Sequence, residues 1–175
     1  MSIGSTILLA TLAVGIICVA VSAASKRPGT TWSYYHFDGS GFVAGQPPDN
    51  GPFLAVQDRA VPVRLTRADT VVTVALPSGT GALAGICYIR NAGGRLAGGR
   101  LAGGSRYTPC PGIPLTITSG KSVVVRTQTD ESGFFVVGLP AGVYRVSSGA
   151  FSAEARVDVG TTTLSALQVG KRMVD

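Results

Sequence analysis

The chain has 175 residues, 45% of them apolar and 14% charged, with 24 Gly and 10 Pro. So much apolar content excludes a disordered chain, whose low hydrophobicity could not offset the entropy of folding. The net charge of +6 suits acidic partners or anionic lipid headgroups. Nucleic acid is discounted as a partner, because the Arg residues lack the interleaved aromatics of a single-strand binder.

Ile3 to Ala24 carries no charge, and the first basic residues are Lys26 and Arg27. As a helix these residues would measure roughly 33 Å, enough to cross a bilayer core. Two readings compete for the segment. Val21-Ser-Ala23 and Ser22-Ala-Ala24 offer the small residues of a secretory cleavage site. No Lys or Arg precedes the apolar run, however, which favours a retained single-pass anchor over residues 1–25, in contact with lipid through 3–24. The positive-inside rule, applied to Lys26 and Arg27, places the folded part in the cytoplasm. The cysteine pair and the resemblance below place it outside, in a periplasmic or extracellular position, and that is the expectation adopted. Cys18 lies within the apolar run and reads as a buried thiol.

Residues 26–80 read as a linker followed by a β-rich extension. Trp32, Tyr34, Tyr35, His36 and Phe37 form an aromatic strand or an interfacial belt, and the strand is preferred. Gln46–Pro52 is a turn-rich loop. Strand-like runs follow at 60–66 and 70–76, joined by a turn at Arg67-Ala-Asp69. Pro62 has no N–H to give and suits an edge or a strand start. Further runs fall at 84–90, 113–118, 122–128, 133–137, 142–147, 153–159 and 162–169, with residues 171–175 as a tail. Short strands at this spacing, separated by turn signals, predict a sandwich or barrel.

The rhythm breaks at Gly94–Gly103, where the unit Gly-Arg-Leu-Ala-Gly occurs twice in tandem. This reads as a flexible basic loop between strands, either tolerated as an insertion or used by Arg95, Arg100 and Arg106 to grip an anionic surface. A second echo is longer in range. Asp38-Gly-Ser-Gly-Phe42 resembles Asp130-Glu-Ser-Gly-Phe134, 92 positions later, which suggests that residues 32–77 are a degenerate second unit packed onto the main domain.

The most specific stretch is Thr129-Asp-Glu-Ser-Gly-Phe-Phe-Val-Val-Gly-Leu-Pro-Ala-Gly-Val-Tyr-Arg-Val146. Asp130 can accept backbone hydrogen bonds across a tight turn, with Gly133 taking a positive φ there. Leu139-Pro140 ends one strand, and Gly142 starts another that brings Tyr144 back across the core. The stretch resembles the carboxypeptidase regulatory-like domains, small prealbumin-like β-sandwiches of bacterial envelope proteins. The positions matching that pattern are Asp130, Gly133, Phe135, Leu139, Pro140, Gly142 and Tyr144. Leu83–Ile89 looks like the family's first strand and Pro111–Ile117 like its second, so the resemblance covers about 81–170. It implies a non-catalytic accessory domain.

No constellation for catalysis is legible. His36 is the lone His, the acids are scattered, and Ser132 has no base beside it. No metal spacing occurs, and no cofactor is implied. Cys87 and Cys110 flank the basic insertion and are a candidate disulfide; a bond there would add about 3 kcal/mol through loop entropy and requires an oxidising compartment. The alternative is two buried small hydrophobes.

The expectation is thus a mainly β protein, a small antiparallel β-sandwich with an N-terminal transmembrane helix. Its function would be that of a non-enzymatic accessory subunit, bound to integral membrane proteins of a larger complex through Arg95, Arg100, Arg106 or the aromatic group. The alternative is a secreted or surface carbohydrate-binding module that stacks Trp32, Tyr34 and Tyr35 on sugar rings.

Overall fold

A computed structural model describes residues 32–67, 71–92 and 106–173. The expected membrane helix, Cys18, the turn at 67–69 beyond Arg67, and the tandem repeat with Arg95 and Arg100 lie outside the described residues. Among the described residues no helix is long and apolar enough to cross a membrane.

Twelve strands are described: β1 (Ser33–Phe37), β2 (Phe42–Ala44), β3 (Phe53–Val56), β4 (Val63–Leu65), β5 (Thr80–Ala92), β6 (Tyr107–Pro109), β7 (Pro114–Ser119), β8 (Ser122–Gln128), β9 (Phe134–Pro140), β10 (Gly142–Ser148), β11 (Phe151–Val157) and β12 (Thr162–Met173). They form three sheets, ordered β2-β1-β3-β4, β12-β5-β6 with β9 also on β5, and β11-β10-β7-β8.

The long strand β5 organises the rest. Residues 81–88 are buried without interruption, and alternate side chains feed two separate cores. Leu83 and Cys87 join Phe135, Leu139 and Leu167 against Leu115, Ile117, Tyr144, Val146 and Val157 of the C-terminal sheet. Ala84, Ile86 and Tyr88 join Phe134 against Phe37, Leu54 and Val56 of the N-terminal sheet. A strand covered on both faces needs a continuous apolar run instead of an alternating one, and Leu83–Ile89 supplies it. Gly85 is required in the middle, because a Cβ there would stand 2.2 Å from the Ser165 carbonyl oxygen and 2.6 Å from the Phe135 ring.

The structure is mainly β, as expected, with two corrections of detail. The sandwich has three layers, because residues 33–65 make a sheet of their own over the second face of β5. The sheets are also not wholly antiparallel, since β12 runs parallel to β5 from Thr162↔Ala82 to Met173↔Ala92. Of the run expected at 70–76, the described residues 71–76 form no strand. They touch the fold through an isolated bridge, Ala60↔Ala75, and leave Val72 73% exposed. The tail expected from 171 is instead the end of β12, which reaches Met173.

The Asp130 turn is built as its residues dictate. Asp130 Oδ1 accepts from the backbone N–H of Ser132 at 2.8 Å and of Phe134 at 3.0 Å, and Gly133 has φ 77°. Strand β10 then returns Tyr144 to the core, where its hydroxyl donates to the Pro140 carbonyl at 2.8 Å. The echo at Asp38 is a similarly capped turn. Its Oδ1 accepts from Ser40 N–H at 2.7 Å, Ser40 Oγ at 2.7 Å and Gly41 N–H at 2.9 Å.

Candidate interaction surface

Of the residues singled out in the sequence, Arg106 leads to the most chemistry. It is exposed at the start of β6 and packs beside the Asp38 turn, where a Cβ on Gly39 would lie 2.8 Å from its own Cβ. Strand pairing brings further cations to the same end of the central sheet. Arg90 on β5 stands opposite Tyr107 on β6 and opposite Lys171 on β12. Arg172 is opposite Asn91, whose N–H donates to the Arg106 carbonyl at 3.0 Å. Four cations from three hydrogen-bonded strands thus share one edge of the molecule, with strand neighbours only about 4.8 Å apart.

Arg90, Lys171 and Arg172 are exposed, and they form none of the ion pairs found among the described residues, which are Arg64–Asp130, Arg145–Glu154 and Arg156–Asp158. By strand alternation Arg90 and Lys171 lie on the Tyr88 face, whereas Arg172 and Asn91 lie on the other. The basic end therefore presents charge to both sides of the sheet. The chain leaves this end at Ala92 and returns at Arg106, so the segment carrying Arg95 and Arg100 is rooted there.

An aromatic cluster stiffens the platform beneath the charges. Phe37 lies 4.6 Å from Tyr88, 4.9 Å from Tyr107 and 5.6 Å from Phe42, measured between ring centroids. Burial pushes the Tyr88 phenol up, with nearby Arg90 opposing. Burial also raises Tyr107, and the carboxylates of Asp49 and Asp38 add to the effect. Both rings therefore stay neutral and act as packing. For Asp38, partial burial raises the carboxyl, but hydrogen bonds from Ser40 and Gly41 and the charge of Arg106 more than reverse this, and its pKa is lowered.

The remaining singled-out residues lie elsewhere. Trp32, Tyr34 and Tyr35 are half-buried. Tyr34 meets Phe53 edge-on at 5.6 Å, and Tyr35 packs against the second core. His36 pairs its Nδ1 with the Gly45 carbonyl at 2.9 Å. Cys87 and Cys110 are both buried and both free thiols. Asp130, Gly133, Leu139, Pro140, Gly142 and Tyr144 hold the β9–β10 corner together. Among the described residues no group of three or more His, Cys, Asp or Glu could hold a metal ion.

Sequence reasoning found Arg106 but missed Arg90, Lys171 and Arg172. Arg90 ends the run at 84–90, but Lys171 and Arg172 fall in the stretch read as a tail beyond the run at 162–169. Only the parallel pairing of β5 with β12 turns these separate residues into a cluster.

No protein-family model matches the chain, and no curated protein matches it. Among solved structures it is similar to the crystal structure of a minor pilin from the gram-positive pathogen Streptococcus agalactiae, at 12% sequence identity and a TM-score of 0.37. The match covers 78% of this chain and 66% of the pilin chain, slightly under two thirds of that protein's length.

Proposed function

We propose that this chain is a non-catalytic interaction subunit of the cell envelope. It is tethered to the membrane by residues 3–24, with its β-sandwich outside the cytoplasm, and docks through the basic end of its central sheet. The partners in this reading are integral membrane proteins that present an acidic face. The observation that carries the proposal is the convergence of Arg90, Arg106, Lys171 and Arg172 on adjacent strands, with Arg95 and Arg100 rooted between them in the chain. Asp38 stands beside Arg106 alone, so the cluster is mostly of one sign, and such a cluster steers and orients association with an oppositely charged surface. Membership of the carboxypeptidase regulatory-like family belongs to the same proposal, supported by the motif from Asp130 to Tyr144 and by the resemblance of Leu83–Ile89 to that family's first strand.

The test is a native pull-down from solubilised membranes, with mass spectrometry of the partners and of this chain's N-terminus. The expected result is recovery with residues 1–24 intact, in fixed ratio with integral membrane proteins. Recovery should be lost on the combined change R90E, R106E, K171E and R172E, and weakened at high salt. Recovery of the chain alone, with the apolar segment removed, would overturn the reading.

A further inference from the structure

The two thiols in the first core lie at the root of the basic end, and nothing in the docking role uses them. The β5–β6 ladder pairs Arg90 with Tyr107, Ile89 with Thr108 and Tyr88 with Pro109. One step further along the same register sets Cys87 opposite Cys110. The Cys110 N–H donates to the Cys87 carbonyl at 2.9 Å, and the Cys110 thiol faces the Thr108 carbonyl at 3.9 Å. Both side chains belong to the same core cluster, with Leu83 and Leu115.

Their surroundings hold them there. The Cys110 carbonyl accepts from Thr129 Oγ1 at 2.6 Å, and Thr129 Oγ1 in turn accepts from the Ile113 N–H at 2.9 Å. On the other side Gly133 closes in so tightly that a Cβ would stand 2.9 Å from both the Cys110 nitrogen and the Cys87 oxygen. Directly opposed residues on antiparallel strands have Cα atoms about 4.5–5.5 Å apart. That falls inside the window of about 4.4–6.8 Å that a disulfide needs.

We infer that Cys87 and Cys110 are a cross-linking site, closed by an intrachain disulfide when the chain meets a disulfide oxidant. Two S–H bonds break and one S–S bond forms. Two electrons and two protons pass to an oxidant of the thiol–disulfide exchange class, such as oxidised glutathione, which leaves as two thiols. The bond fastens β6 to β5 and fixes the exit and return of the segment carrying Arg95 and Arg100. Burial pushes the Cys87 thiol up to about 12 and raises Cys110 as well. Exchange needs a thiolate, so the folded, reduced chain reacts slowly and the bond closes while the chain folds. This inference is independent of the docking proposal and survives its failure.

The experiment uses the full chain with Cys18→Ser, refolded in a glutathione redox buffer and digested with trypsin without reduction. The expected product joins peptide 68–90, which carries Cys87, to peptide 107–121, which carries Cys110. Dithiothreitol should separate the two and lower the melting temperature by about 10 °C. Cys87→Ala with Cys110→Ala should melt at the same temperature with or without reductant. If that variant does not fold, the comparison of oxidised with reduced parent chain decides alone. A folded chain whose two thiols are both alkylated after refolding in that buffer and unfolding in denaturant would overturn the inference, as would linkage of either cysteine to a second chain.

Discussion

Arg64 Nε lies 2.6 Å from Asp130 Oδ2, and this contact fastens the last strand of the N-terminal sheet to the turn that opens β9. Arg64 also donates from a terminal guanidinium nitrogen to Ser132 Oγ at 3.3 Å. The side chains are 30% and 35% exposed, so solvent screens the pair and its contribution is modest. Arg64→Ala should cost about 0.5–1 kcal/mol. Asp130→Ala should cost about 1–2 kcal/mol, because it also strips the acceptor from the N–H groups of Ser132 and Phe134. Urea unfolding of both single variants and the double variant checks this. A coupling energy near zero would show that the ion pair does not link the layers.

The crossing of β5 and β12 at Gly85 tolerates no side chain. Gly85→Ala sets a methyl against the backbone oxygen of Ser165, where no rotamer offers escape. The expected result is loss of more than about 3 kcal/mol, or failure to fold. Gly138 has open space around the same position, so Gly138→Ala serves as the control and should fold. Circular dichroism melts of the two variants make the comparison.

Removing residues 32–67 should leave a chain that does not stay monomeric. It would uncover Ala84, Ile86, Tyr88 and Phe134, which the N-terminal sheet now buries. Exposed apolar patches of this kind drive association. Dye binding and size-exclusion chromatography of the truncated chain are the measurements. A monodisperse, cooperatively melting product would show that the C-terminal pair of sheets is self-sufficient.

Stability should fall as acid protonates Asp38. Its folded pKa is lowered, so its contribution is complete above the unfolded value near pH 4 and disappears as pH drops through the folded value. Asp38→Asn should flatten stability against pH in that acidic window and leave the neutral region parallel to the parent. Denaturant midpoints measured from pH 6 down to pH 2 test the sign.

Much of the C-terminal sheet was legible in the sequence, because its information is local. Ser122–Gln128 was read at its observed limits, and the turn chemistry of Asp130, Gly133 and Pro140 marked the strands around it. Other elements carried weaker signals. Phe53–Val56 is apolar at every position and buried on both faces, so it shows no period of two. β2 and β6 have three residues each, too few for any pattern. Residues 71–76 are rich in Val, as strands are, but meet the fold only at the bridge Ala60↔Ala75 and two flanking hydrogen bonds, and composition alone does not make a strand. The basic end was half legible for a related reason. Arg90 and Lys171 are 81 positions apart, and only non-local pairing joins them.

That same non-local pairing sets the order of events when the molecule opens and closes. β5 is hydrogen-bonded to β12 along one edge and to β9 and β6 along the other, with an apolar layer above and below. Its amides have no route to solvent short of global unfolding, so they should be the slowest in the chain to exchange with deuterium. Its partner β12 lies about 80 residues further along the chain (Thr162↔Ala82), and the chain between the two must close before their ladder forms. The high contact order makes folding slow, and β5 spends that interval as an unpaired apolar strand, the segment most exposed to aggregation until β12 joins it.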